Sequence, residues 1–329
     1  IVINYSESRD PDDYQTPTIL YICGGNSASN NDVQELIEWR HKQGYNVQVV
    51  EESESGGSYN NLANFIENAY NSNNPPEIVG LIGDTGGSYS LAAGSQNWGG
   101  GWYGYEGATD IFYTLIDGND LMPDLFIGRI SVNSSSEIDE LITKTIAYEK
   151  ATYINSTGTN WYESAALAGD PDESGNSTII TNQYIENLMI NHGMENVMTD
   201  YDGSGVQTFM ENSFQSGILY YNYRGWYGGY GSYPTSSLNN SWKTPFVTTI
   251  TCGTGDFNGT SSSEAFIREG SASNPEGAVA SIGVATTGTH TAYNNIVDMG
   301  IYEAIFSLGL STAGAANHYG DVAILEFDF

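Results

Sequence analysis

The residues best suited to chemistry lie late in the chain. Two short apolar runs, Ile218–Tyr223 and Phe246–Thr251, are each cut off by glycine, and the second delivers a thiol, Cys252, into Gly253-Thr254-Gly255-Asp256. A thiol at a strand end, followed by glycines that let a ligand approach the backbone, has the make-up of a nucleophile with amide donors beside it. The alternative is a small core residue on a buried strand, because unpaired cysteines are often buried. Three more strand ends in the same half carry polar residues: Asp170 after Ser164–Ala168, the Gly225-Trp226 loop after Ile218–Tyr223, and Thr289-His290-Thr291 after Ala278–Val284. If these strands are parallel, the four ends meet on one rim. Acid, aromatic loop, thiol and imidazole on one rim are the parts of a cysteine hydrolase: a base to lower the thiol pKa, a carboxylate to orient the base, and glycine amides for the oxyanion.

Other sites read less strongly. Asp170–Gly175 (DPDESG) imitates the first half of an EF-hand loop, but the twelfth position is Thr181 and not a bidentate Glu, which rejects it. Asp117-Gly118-Asn119-Asp120 clusters oxygens in a turn, either solvated or binding calcium through Asp117 and Asn119. His192, just before Gly193, reads as a helix cap; His41 and His318 show no partner. GxSxG, HExxH, P-loop and CxxC motifs do not occur, which argues against serine hydrolases of that type, zincins, NTPases and thiol redox proteins.

The elements that must carry these residues alternate. Thr18–Cys23, Val47–Val50 and Ile78–Ile82 read as strands, with helices over Asp32–Gln43 and Leu62–Tyr70 between them. Gly86–Gly107 has no clear period and reads as a long loop, followed by a strand at Leu125–Gly128 and an amphipathic helix at Ser134–Lys150. A polar, linker-like stretch at 151–160 precedes a second cycle: strand Ser164–Ala168, helix Thr178–Asn191, strand Asn196–Thr199, helix Val206–Ser216, the two strands already named, strand Ala278–Val284, helix Asn295–Leu308 and a closing strand at Val322–Phe329. Strand alternating with helix implies a mostly parallel α/β sheet, with ligands beyond the C-terminal strand ends. The expected organisation is two α/β subdomains, residues 1–155 and 156–329, packed as one body.

Nine Lys and Arg stand against 40 Asp and Glu, a net charge of −31. So acidic a surface repels phosphate backbones and argues against nucleic-acid binding; it suits divalent cations such as calcium. Two cysteines, Cys23 and Cys252, make no disulfide framework, and Cys23 in TILYICGG reads as core. No apolar run is long enough to span a membrane. The chain starts abruptly at Ile1-Val2-Ile3 with no visible signal peptide, as a processed protein would, and its wealth of Tyr, Gly, Asn and Ser suggests a secreted or surface protein.

The segments TILYICGG, EWRHKQGYNVQVV, IVGLIGD, LFIGRIS with TKTIAYEKA, NYRG, TCGTGDF with EAFIREG, and GAVASIG together resemble the gingipain cysteine peptidases. The most specific phrase is Cys-x-x-Gly-Asp-Phe at Cys252–Phe257, about 30 residues after Asn-Tyr-x-Gly. The resemblance implies a caspase-like α/β fold, a three-layer sandwich, and a secreted endopeptidase acting on proteins or peptides. It also implies Cys252 as nucleophile, Asp170 as the orienting acid and bound calcium. The family's catalytic histidine falls at Trp226, which has no basic nitrogen. The acids that give gingipains their Arg or Lys preference fall at Thr178 and Thr291. An active enzyme would then need its base from His290, the one histidine that follows a strand of the second unit, with Trp226 walling the site and amides around Gly225 and Gly253 holding the oxyanion. The competing expectation is a catalytically inactive homologue serving as a surface binding or structural protein.

Overall fold

The computed structural model describes residues 16–97, 106–226 and 234–326. The first unit holds β1 (Thr18–Cys23), α1 (Asn31–Lys42), β2 (Asn46–Glu51), α2 (Tyr59–Tyr70), β3 (Ile78–Ile82), β4 (Phe126–Ile130) and α3 (Ser135–Lys150). Its four strands are ordered β2-β1-β3-β4, every pair parallel. The second unit holds β5 (Ser164–Gly169), α4 (Ser177–Asn191), β6 (Asn196–Asp200), α5 (Val206–Ser216), β7 (Tyr220–Arg224), β8 (Phe246–Thr249), α6 (Ser262–Ile267), β9 (Ala280–Gly283), α7 (Thr291–Phe306) and α8 (Ala313–Glu326). Its sheet runs β9-β8-β7-β5-β6, again all parallel. Each sheet carries an apolar layer on both faces, which makes the three layers of a caspase-like α/β fold.

Both sheets reverse direction at one place. In the first the chain leaves β1 for β2 on one side and β3 on the other; in the second it leaves β5 for β6 and then β7. The C-terminal ends flanking such a switch point splay apart and leave a crevice. In the second sheet those ends are Gly169-Asp170 and Arg224-Gly225, joined by the Asp170 amide donating to Arg224 O at 2.9 Å.

Side chains alternate along β7. Tyr221 and Tyr223 enter the core beneath α5 and α6, while Tyr220 packs with the α7 aromatics Tyr302 and Phe306 on the other face. The units are clamped together by polar contacts: Arg268 pairs with Asp84 at 2.8 Å, and buried Lys144 donates to the carbonyls of Ile267, Glu269 and Glu276.

Two expectations fail. Residues 313–326 form a helix where a closing strand at Val322–Phe329 is expected; residues 327–329 lie outside the described part. A short apolar run has no decisive period. What decides is packing: a Cβ on Gly300 of α7 would stand 2.8 Å from Ala323 Cβ and 3.0 Å from Gly320 Cα, so the two helices cross backbone to backbone. The expected loop Gly86–Gly107 contains an antiparallel ribbon, Gly94–Asn97 with Glu106–Thr109; residues 98–105 lie outside the described part.

Candidate active site

Cys252 follows β8 by three residues and is part-exposed, not sealed. Its Sγ lies 3.3 Å from Thr289 Oγ1. Thr289 Oγ1 also accepts from Asn294 Nδ2 at 2.8 Å, which leaves the hydroxyl proton free to point at the sulfur.

The loop after Cys252 owes its shape to the rest of the shared phrase. Gly253 is left-handed at φ 69°, and the Thr254 hydroxyl is buried, its one proton lying between Thr249 O and Thr251 O while its oxygen accepts the Val284 amide. Asp256 accepts the Ala108 amide at 2.8 Å, and Phe257 O accepts the Thr85 hydroxyl at 2.7 Å. The Phe257 ring stands 5.0 Å from the Arg129 guanidinium, itself paired with Asp110. The Gly-Asp-Phe part thus docks the thiol loop onto the first unit. The Gly253 amide, expected as an oxyanion donor, donates to Thr286 O at 3.1 Å and is committed to holding the loop. That correction leaves Cys252's own amide and that of Gly225 as the candidates.

His290 is the N-cap of α7. Its Nδ1 accepts the Ala292 amide at 3.1 Å, and its exposed ring meets the edge of Tyr293 with centroids 5.7 Å apart. The sulfur's hydrogen-bond partner is the neighbouring Thr289 and not the imidazole. With Nδ1 accepting, Nε2 carries the proton of the neutral ring.

Asp170 is buried beside Gly225: a Cβ on that glycine would lie 2.8 Å from Asp170 Cβ. Its carboxylate accepts the Asp172 amide at 2.9 Å and the Tyr223 hydroxyl at 3.3 Å. Burial pushes this carboxyl above its ordinary range, against those hydrogen bonds. It therefore stands next to the Gly225-Trp226 turn, where the resemblance places it, but holds a phenol. Trp226 is 41% exposed at the edge of the described residues.

Thr178 is not open to a substrate. It is sealed, and its hydroxyl donates to Asp170 O at 2.9 Å and lies 3.1 Å from Gly175 O, closing the turn that carries Asp170. Thr291 opens α7 and gives its carbonyl to Arg224. Asp117 and Asn119 sit on a turn held by Asp124, whose carboxylate takes the amides of Ile116 and Asp117. Among the described residues no three His, Cys, Asp or Glu side chains gather as a metal centre.

Reading the sequence alone named Thr289 only as a polar neighbour of His290 on the rim, and missed Asn294, Tyr223 and Arg224. Only Arg224 left a signal: a charged residue at the end of a strand otherwise fit for burial.

The comparisons with known proteins agree with this architecture. Peptidase family C25 matches over residues 12–326. Gingipain R2 of Porphyromonas gingivalis is 27% identical over 270 residues, covering 76% of this chain and 34% of that protein. Lys-gingipain W83 of the same organism is 26% identical over 172 residues, 50% of this chain and 9% of the relative. This chain thus spans about a third or less of the curated relatives' lengths. The crystal structure of the Arg-specific cysteine proteinase gingipain R superposes with a TM-score of 0.79 at 23% identity, over 94% of this chain and 72% of that one. With the shared fold, the thiol at a parallel strand end and the match over nearly its whole length, this chain belongs to Peptidase family C25, the gingipain-type cysteine peptidases.

Proposed function

We propose that the chain is a secreted cysteine endopeptidase in which Cys252 attacks the scissile carbonyl of a protein or peptide substrate. The part-exposed thiol just beyond a parallel strand end, hydrogen-bonded to Thr289 of the loop that also carries His290, carries this reading. Attack forms an S–C bond and a tetrahedral oxyanion, which the amides of Cys252 and Gly225 stabilise. The thiol proton passes to the imidazole of His290, which later returns one to the leaving amine as the C–N bond breaks. Taking that proton requires the ring to leave its cap on Ala292. Asp170 sits beside the Trp226 turn, and its place in an active site is to fix that wall.

Cleavage shows no dominance of Arg or Lys at P1. Thr178 and Thr291 bring no carboxylate, and a buried carboxylate facing the cation is what such a preference needs. Calcium is proposed as a stabilising ion on the strength of the net charge of −31, with Asp117 and Asn119 giving oxygens beside main chain and water. Among the described residues no helix is long and apolar enough to cross a membrane.

The second reading, an inactive homologue that binds at a surface, has two observations in its favour: Trp226 stands where a basic nitrogen is needed, and Asp170 is spent on Tyr223. Two measurements separate the readings. A thiol-directed peptidyl inhibitor labels Cys252 and a peptide library is cleaved if the chain is an enzyme. Loss of cleavage in His290→Ala, with labelling by a small alkylating agent retained, assigns the base; full cleavage in that variant sends the search for a base elsewhere.

A further inference from the structure

Arg224 is the largest fully buried side chain among the described residues, 1% exposed, and it lies beneath the rim. Its Nη1 donates to Gly225 O at 3.1 Å and Ile250 O at 2.9 Å, and its Nη2 donates to Thr291 O at 2.9 Å. Those carbonyls belong to three segments: the one that leads to Trp226, the one that leads to Cys252, and the one that follows His290. A single rigid fork thus ties the three loops of the candidate site to one another.

The fork does not explain the charge. Arg40, Arg129 and Arg268 each have a carboxylate within ion-pair distance, whereas Arg224 has none among the described residues. Its Nε is buried without a hydrogen-bond partner. A buried cation with no ion pair is costly unless something nearby uses the field. The ionisable groups facing it are Asp298 of α7, Tyr223 of its own strand and Cys252, all of which favour its charged form when they ionise. Burial takes the guanidinium down to about 10, so it stays charged at neutral pH. Asp298 is sealed and accepts from Asn222 Nδ2 at 2.9 Å, while its Oδ1 has no partner; burial lifts its carboxyl to about 7. Burial and the unpartnered Oδ1 thus favour the neutral acid at Asp298, which weakens it as a counter-charge to Arg224.

We infer that Arg224 is a positioning residue of the thiol site, clamping the three rim loops and supplying from below the fixed positive charge that favours a Cys252 thiolate. In a chain with Trp226 beside it, this charge stands in for the electrostatic half of an imidazolium's role, while the proton transfer stays with His290. The inference rests on Cys252 being the reactive thiol, as proposed above, but does not require that peptides be cleaved.

The test is the rate of Cys252 alkylation by iodoacetamide between pH 5 and 9, followed by peptide mass spectrometry on the full chain. Arg224→Met, matched to wild type by circular dichroism, is expected to alkylate about tenfold more slowly at pH 7, with its half-maximal rate displaced to higher pH. Arg224→Lys is expected to keep most of the wild-type pH profile, because the charge remains, while losing most of kcat in the peptidase assay, because the fork is gone. Asp298→Asn, which removes the negative charge facing Arg224, is expected to leave the alkylation profile at or below the wild-type pH. Superimposable profiles for wild type and Arg224→Met overturn the inference. If Arg224→Met does not fold, an Arg224→Lys profile displaced to higher pH despite the retained charge overturns it instead. A chain that cleaves no peptide but shows the Arg224-dependent profile removes the peptidase reading and leaves this one standing.

Discussion

The molecule contains two cysteines in the same local setting, and they end in opposite environments. Cys23 closes β1 and runs into Gly24-Gly25; Cys252 follows β8 and runs into Gly253. Cys23 lies beside the first sheet's switch point, where the Gly24 amide donates to Ile82 O at the end of β3. There the crevice is filled. A Cβ on Gly24 would lie 2.2 Å from Tyr89 O, and one on Gly25 would lie 2.5 Å from Ser88 O, so the segment after β3 is pressed onto the glycines. Cys23 is 0% exposed, and burial pushes its thiol up to about 11. Around Gly253 the nearest group a Cβ would meet is Thr287 Cγ2 at 3.8 Å, and Cys252 stays part-exposed with a hydroxyl at its sulfur. A thiol at a strand end with glycines after it is thus no site by itself. The neighbouring loop decides, by covering the sulfur or leaving it open.

The largest effect that tests this contrast is on activity. Cys252→Ala is expected to lower peptide cleavage by at least ~10³-fold, whereas Cys23→Ala leaves it within about twofold and costs about 1 kcal/mol in a urea unfolding curve. Equal losses from the two would erase the distinction.

The glycines should divide the same way on stability. Gly24→Ala sets a methyl against the Tyr89 carbonyl and is expected to cost about 3 kcal/mol or more, because backbone cannot yield as a side chain can. Gly253→Ala meets only an ordinary contact with Thr287 Cγ2 and the left-handed φ of 69°, for about 1 kcal/mol. Thermal melts of both variants measure the gap; a reversed order means the first crevice is not closed as described.

A pH series sharpens the comparison. The folded chain holds the Cys23 proton more tightly than the unfolded one, so that contribution is complete below about pH 9 and is lost as pH rises towards 11. Over that window the stability of wild type relative to Cys23→Ala should fall by roughly 2 kcal/mol. Unfolding free energies at pH 8 and 10.5 give the difference, and a flat difference shows an accessible thiol. The smallest effect is calcium's: chelation should lower the melting temperature by about 3 °C, as removal of a weak native-state ligand does. An unchanged melt retires calcium from the Asp117 and Asn119 turn.

Much of the fold was legible because its signals are local. β1 and β3 carry continuous apolar runs ended by glycine, α5 follows its own period, and the alternation of strand and helix leaves few topologies but a parallel sheet. α8 was misread because VAILEF suits either element, and only the glycine crossing with α7 settles it. At the rim, chain order alone placed Asp170, Trp226, Cys252 and His290 on one sheet, since parallel strands send their C-terminal ends to the same side. The absence of a family histidine at Trp226 was also written in the residues.

Partnership was not written there. Asp170 takes the Tyr223 hydroxyl, Thr178 seals a turn, Gly253 spends its amide on Thr286, His290 caps a helix, and Thr289 reaches the sulfur. Each of these is set by distances of a few ångströms between segments far apart in sequence, and hydrogen bonds and desolvation change sharply over such distances. The sequence by itself determined which groups arrive at the rim. Only the packing of loops against one another decided which thiol is open, which amides are free, and that Arg224 lies beneath with no ion pair among the described residues.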